Sequence, residues 1–284
     1  MLMPGILLLI AFSTVPMAGI LIAFQDFAPA RGIFRSEWVG LDHFEYMSQL
    51  PESRTIFYNT VFLASMKIVA NLIVPLVFSL MLNEMRLRLL KRSIQTIVYL
   101  PHFLSWVILA GIISNIFSYT GLANQLLAPL GIEPIMYMAS NAWFPAILVG
   151  SDVWKDFGFN TIVYLAALTS INPSLYEAAA IDGADRYRRL LHVTLPGMKS
   201  VIVLLATLSL GNILNAGFDQ IFNLYNPLVY DSSDIIDTWV YRVGLLGAQY
   251  GLATAVGLLK SVAAFILIIC SYALASKFAN YRIF

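Results

Sequence analysis

Six long apolar runs constrain what this chain can fold into more than any other feature. They lie at about 4–24, 60–82, 96–118, 142–168, 201–222 and 253–275. Each is long enough for a membrane-spanning helix, which needs roughly 20 residues. No stretch shows the regular apolar–polar alternation with spaced turns that a membrane β-barrel requires. Only 12% of the residues are charged, about half the share in soluble domains. Lipid is therefore the solvent this surface needs. The expected fold is all-α, with six spans in a single transmembrane domain over 1–284.

The first run begins at Pro4 with no basic residue before it and is long for a signal-peptide core, so it reads as a retained span. A longer natural N-terminus is expected on the same ground. Orientation follows from Lys and Arg. One set of connections, 83–95, 169–200 and 276–284, holds ten of the seventeen basic residues, Lys277 and Arg282 among them. The other set, 25–59, 119–141 and 223–252, holds only Arg31, Arg35, Arg54 and Arg242, against nine acidic residues. The basic set is expected in the cytoplasm, together with both termini. The outer segments 25–59 and 223–252 are rich in aromatics, which suits interfacial anchors or contact with an external protein. A net charge of +1 without a basic tail argues against nucleic-acid binding. The single cysteine, Cys270, lies in an apolar run and reads as core packing.

The most informative polar stretch is Tyr176–Pro196, YEAAAIDGADRYRRLLHVTLP, a charged island between apolar runs. Asn172-Pro173 suits the start of a helix, because Pro is tolerated in the first turn. Ser174 and Glu177 have the spacing of a capping box. Asp182-Gly183 is a helix stop, since Gly takes the left-handed conformation. A second short helix is expected over 184–192, ending toward Leu195-Pro196-Gly197. The local reading is a helix–turn–helix hairpin outside the bilayer, over 172–196.

Several spans carry polar residues, which are costly in lipid and normally face a bundle interior or a water-filled cavity. Asp152, Lys155 and Asp156 stand at helical spacing in span four, beside Trp154. They read either as a self-neutralising cluster or as a polar patch on a translocation path. In span five Asn212, Asn215 and Asp219 fall on one helical stripe, with Phe218 and Gln220 adjoining. Such a stripe is either glue between helices or the lining of a path. Lys260 in span six reads as the partner of a carboxylate in span four or five, or of an acidic substrate. Lys67 and Asn71 share a face of span two, near a kink expected at Pro75. His102, with no second His or Cys beside it, reads as structural, and no metal site is expected. No phosphate-cradling loop, nucleophile elbow or other catalytic set is present, so the chain reads as neither an ATPase nor an enzyme of another kind.

The hairpin resembles the EAA loop of ABC-importer permeases. Glu177-Ala178-Ala179 is followed after three residues by Gly183, and after nine more by Val193-Thr194-Leu195-Pro196, where the family pattern has I-x-L-P. Val193 in place of Ile is the one departure. The likeness extends through Asn83-Glu84, the 95–106 segment QTIVYLPHFLSW, Asp152-Val-Trp154-Lys155, the 211–220 segment and Thr254-Ala-Val-Gly257. These segments are similar to permeases of carbohydrate uptake, nearest to those importing oligosaccharide fragments of complex polysaccharides, of the alginate- or pectin-fragment type; acidic and neutral oligosaccharides both remain open. The resemblance implies a type I importer permease fold. It also implies a second, different permease subunit, two ATP-binding subunits that hydrolyse ATP with Mg, and an extracytoplasmic solute-binding protein. The chain itself would bind no cofactor. Tyr176, Glu177, Ala178, Ala179, Asp182, Gly183, Leu195 and Pro196 would couple it to the ATPase. Asp152, Trp154, Lys155, Asn212, Asn215, Phe218, Asp219, Gln220 and Lys260 are the candidate substrate path. The competing readings are the same machinery with another solute, such as a glycerol phosphate or a peptide, and an ion-coupled secondary transporter using Asp152, Asp156 and Asp219. A membrane-embedded enzyme is the remaining class.

Overall fold

The computed structural model describes residues 2–279, with side chains as far as residue 273. Lys277 and Arg282, two of the basic residues used for orientation, have side chains outside that range. Helix α1 (Met3–Phe24) is continuous, and most of its large apolar side chains as far as Val15 are exposed. A chain surface of that kind is stable only against lipid or a partner. The following segment folds back through a two-residue antiparallel pair, β1 (Gln25–Asp26) with β2 (Glu37–Trp38), and then α2 (Asp42–Gln49). The His43 ring is 3.0 Å from the Gln25 carbonyl and holds this turn closed.

Helix α3 (Pro51–Glu84) has 34 residues, or about 51 Å at 1.5 Å per residue. It starts well before the expected position 60, because Pro51 occupies its first turn and Glu52 follows there. It runs through Pro75 as one helix. The Tyr164 hydroxyl donates to the Leu72 carbonyl at 3.1 Å, in the turn that Pro75 disturbs.

Two expected spans are broken. In place of one helix over 96–118, α4 (Arg88–Phe103) and α5 (Trp106–Ile116) meet at 107°. Pro101 sits in the tightened last turn of α4, Leu104 is extended, and the Ser105 hydroxyl caps α5 by accepting from the Ile108 amide at 3.4 Å. Span four appears as α6 (Phe144–Thr169), close to its expected bounds. The hairpin helix α7 (Pro173–Ile181) follows, then α8 (Arg186–Leu210). The expected span 201–222 is thus corrected. Residues 211–214 form a turn, 215–217 are irregular, and α9 (Phe218–Leu224) starts afresh after Gly217 at φ +92°. Helix α10 (Tyr250–Ala279) closes the bundle. Cys270 lies exposed on it, contrary to the expected core position.

Among the described residues, four continuous helices are long and apolar enough to cross a membrane: α1, α3, α8 and α10 as far as Ala273. The bent pair α4–α5 makes a fifth if counted as one span. α6 has spanning length but carries Asp152, Lys155 and Asp156 in its middle. α3 and α6 form the most extensive helix pair. Their shared core joins Leu63 and Ala64 of α3, Leu109 and Ile113 of α5, Phe144 and Leu148 of α6, and Ile221 of α9. Gly158 of α6 lets α4 approach closely, because a Cβ there would lie 2.3 Å from the Val98 carbonyl oxygen.

Candidate translocation path and coupling hairpin

The two breaks set the geometry of the bundle interior. A broken helix leaves backbone carbonyls without partners, and in a membrane these must be satisfied by protein. A lysine serves each break. Lys155 of α6 donates to the carbonyls of His102 and Leu104, each at 2.7 Å, and reaches that of Pro101 at 3.5 Å. It therefore sits at the C-terminal end of α4, where a cation also complements the helix dipole. Beside it His102 Nδ1 lies 2.8 Å from Asp156 Oδ1, and its ring stacks on Phe159 at 4.1 Å. The other break is held by Lys67 of α3. Its ammonium is buried, donates to the Ala216 carbonyl at 2.6 Å and to Gln220 Oε1, and lies 3.3 Å from Asp152 Oδ1. Asn71 donates to the other Asp152 oxygen at 2.8 Å. Gln220, fully buried, donates from Nε2 to the Leu148 carbonyl and the Ser151 hydroxyl, both at 2.7 Å.

The span-four charges are therefore not a self-neutralising set. Asp152, Lys155 and Asp156 each take a partner from another helix, and the helical stripe expected over 212–219 does not exist as a stripe. Lys155 and Gln220 are engaged in holding the two breaks. Trp154 and Asp219 are exposed and line neither cavity described next. The remaining path candidates do converge. A cavity of about 230 Å³ is lined by Lys67, Asn71, Asp152, Asn160, Asn212 and Asn215. A second, of about 380 Å³, is lined by Asn215, Phe218, Asp237, Tyr241 and Lys260. Asn215 belongs to both, so the two adjoin. Phe218 stacks on Phe222 at 5.2 Å, and Tyr241 meets Phe222 edge-on at 4.9 Å. Flat aromatic faces beside amides and charges are what sugar recognition needs. Asp237 and Tyr241 were missed in the sequence, since both lie in a segment that reads as an external loop.

Lys260 pairs with Asp237 at 2.5 Å, a carboxylate of the short helix Ile236–Val240 and not of span four or five. The outer segment is firmly fixed. Arg242 makes two bonds to the buried Asp234, at 2.5 and 3.2 Å, and lies over the Tyr230 ring at 4.4 Å. Asn59 of α3 donates to the carbonyls of Asp231 and Asp234. Burial raises the Tyr225 phenol above its usual value, with Tyr230 and Asp234 adding to the effect, so it stays a neutral group. Among the described residues no three His, Cys, Asp or Glu side chains gather as a metal site.

The hairpin forms at the expected place with different caps. Asn172 caps α7 by accepting from the Ser174 amide at 3.0 Å, and Pro173 takes the first helical position. The Ser174–Glu177 capping box is not the cap that forms. Gly183, at φ +73°, ends the helix, with the Ala184 amide bonding back to the Ala179 carbonyl at 2.9 Å. Asp185 then caps α8 through the Arg188 amide at 2.8 Å. The second hairpin helix does not end near Pro196. It is the first part of α8, and a wider π turn over Leu190–Thr194 continues it past Pro196, whose missing amide that turn accommodates. Tyr176 joins the two arms, its hydroxyl 3.1 Å from Thr194 Oγ1. Glu177, Ala178, Asp182 and Gly183 are exposed, Ala179 and Leu195 half-buried, and Pro196 exposed. Ile181 projects at 87% exposure, a large apolar group on the outside of the hairpin.

Residues 71–280 match the family described as the inner membrane component of binding-protein-dependent transport systems. The chain belongs to this family. It is 41% identical to Protein LplB of Bacillus subtilis (strain 168) over 285 aligned residues, covering 100% of this chain and 90% of that protein. It is 40% identical to the polygalacturonan/rhamnogalacturonan transport system permease protein YteP of the same organism, covering 100% and 89%. Among solved structures it is similar to a chain of a bacterial alginate ABC transporter in complex with an alginate pentasaccharide-bound periplasmic protein. That match has a TM-score of 0.91 and 35% identity, and covers 100% of this chain and 95% of the other. The all-α permease fold expected from the motif is therefore the fold observed, and the chain is the membrane component of a transport system rather than an enzyme.

Proposed function

We propose that this chain is one permease subunit of an ATP-driven importer and forms half of the path for an oligosaccharide handed over by a solute-binding protein. The observation that carries the reading is the exposed α7–α8 hairpin, with Glu177 to Gly183 at its tip, on a bundle of this family. A capped protrusion that exposes Ala178, Ala180 and Ile181 between Glu177 and Asp182 suits insertion into a groove of a soluble ATPase. That subunit, present twice, uses ATP and Mg, and this chain holds neither. A second permease of different sequence completes the path. The basic connections and the hairpin face the cytoplasm, as do both termini.

The substrate class proposed is an acidic oligosaccharide. The names of YteP and of the alginate transporter support it, and the lining accommodates it: Lys260, paired with Asp237, offers ammonium donors, Asn212 and Asn215 offer amides, and Phe218 with Tyr241 offers ring faces. Asp152 contributes through its pair with Lys67. An ion-coupled mechanism is not favoured, because Asp152 and Asp156 are already engaged with Lys67 and His102, and Asp219 is exposed and lines neither path cavity. The test is co-purification from the native membrane by a tag on this chain. An ATP-hydrolysing subunit and a second permease are expected in the eluate, and Glu177→Lys is expected to lose the first and keep the second. Recovery of the chain without either would contradict the proposal.

A further inference from the structure

A cavity of about 770 Å³ opens where the end of α3 meets the root of the hairpin, away from the path. Its walls differ. Leu80, Met81 and Leu190 form an apolar side, while Arg86, Arg186 and Arg189 bring three guanidinium groups to the other. The one carboxylate there, Glu84, lies 3.9 Å from Arg186, and both side chains are well exposed, 64% and 72%. A pair so distant and so wet neutralises little, which leaves a net excess of two positive charges. Arg189 Nε is buried and has no hydrogen-bond partner among the described residues. A buried N–H without an acceptor is costly, so this cavity calls for an acceptor from outside the chain.

The position narrows what that acceptor is. α3 ends at Glu84 and α8 starts at Arg186. The cavity therefore lies where two helices long and apolar enough to cross a membrane come to their ends. Met81, the residue that opens the apolar wall outward, is 63% exposed. An occupant must then be apolar at one end and multiply anionic at the other. Guanidinium groups bind phosphate oxygens in a fixed fork geometry, and basic pockets between membrane helices bind lipid headgroups. Tyr176 and Thr194, whose hydroxyls join the two hairpin arms, also line the cavity.

We propose that this cavity holds the phosphate headgroup of an anionic phospholipid, gripped by Arg86, Arg186 and Arg189, and that the lipid braces the α7–α8 hairpin against the end of α3. The hairpin is the part of the chain that would transmit ATPase closure, so membrane composition would set how stiffly it transmits. The binding itself is a property of this chain alone and does not depend on the transported solute.

The test is native mass spectrometry of the full chain, in the assembly in which it is extracted, after exchange into phosphatidylglycerol or phosphatidylcholine. The natural protein is expected to retain one phosphatidylglycerol per chain more than Arg186→Gln/Arg189→Gln, and to show no such difference with phosphatidylcholine. Titration is expected to give about fivefold weaker phosphatidylglycerol binding for each arginine removed. Arg186→Lys/Arg189→Lys is expected to retain most of the lipid, and Arg86→Gln provides a second variant should the double one fold poorly. Equal lipid retention by the natural protein and the Gln variants would overturn the proposal. So would a result in which inorganic phosphate alone protects the natural protein from thermal unfolding as well as the lipid does, which would assign the cavity to a free phosphate. Loss of a partner subunit with unchanged lipid count in the Gln variants would assign it to a protein carboxylate and overturn it as well.

Discussion

Replacing Lys67 by Met should be among the most damaging single changes in the bundle, although Lys67 need not touch a substrate. The ammonium holds three groups at once: Asp152, the Ala216 carbonyl before the left-handed Gly217, and Gln220. Met keeps the length of the side chain and removes only the charge and the donors. Taking one partner from a buried ion pair costs about 3–5 kcal/mol. Asp152 retains its bond from Asn71 and is 17% exposed at the side chain, which points to the lower end, about 3 kcal/mol, a factor of roughly 100 in the folding equilibrium. The measurement is unfolding free energy of the purified chain in lipid–detergent micelles. Lys67→Met and Asp152→Asn should each be destabilised on that scale. The double variant should recover most of the loss, because removing both members of a buried pair costs far less than stranding one. The reasoning fails if Lys67→Met lies within about 0.5 kcal/mol of the natural protein, or if the double variant equals the sum of the two.

Three further outcomes follow from the geometry. Gly183→Val places a branched side chain at φ +73°, a cost of about 1–2 kcal/mol concentrated in the turn; ATPase stimulation in the assembled transporter should fall while the helix content of the purified chain, read by circular dichroism, stays. Lys260→Gln removes the cation beside Phe218 and Tyr241; competition assays of uptake should show acidic oligosaccharides weakened about 10–100-fold, the worth of a charge-assisted hydrogen bond, and neutral ones much less. Arg242→Gln strands the buried Asp234, and limited proteolysis should then cut the outer segment 226–246 where the natural protein resists.

Most of the long apolar helices and the hairpin were legible in the sequence because each rests on a local rule. Apolar length marks a span whatever it packs against, and Gly183 stops a helix by its own backbone freedom. The two breaks were not read, although signals existed: Pro101 with Ser105 four residues on, and Gly211, Asn212, Asn215 and Gly217 within seven residues. The length of the apolar runs masked both, because the polar residues within them read as the lining of a continuous helix. The partners of the buried charges were out of reach for another reason. Helical spacing pairs Asp152 with Lys155, whereas the fold pairs Asp152 with Lys67 and gives Lys155 to carbonyls around 102 and 104. Those contacts bridge more than 50 positions and exist only once α3, α4 and α6 are packed. The coupling residues keep their assigned roles as proposals, since an exposed tip shows its partner only in the assembly.

The most direct test of the account is ATP hydrolysis by the purified assembly in lipid vesicles, with the solute-binding protein either empty or loaded with acidic or neutral oligosaccharides. The account predicts low basal hydrolysis, stimulation by the binding protein loaded with an acidic oligosaccharide, and loss of that stimulation in Glu177→Lys. Stimulation by neutral sugars alone would contradict the substrate class. Vesicle uptake that proceeds without any ATP-hydrolysing subunit would contradict the central claim.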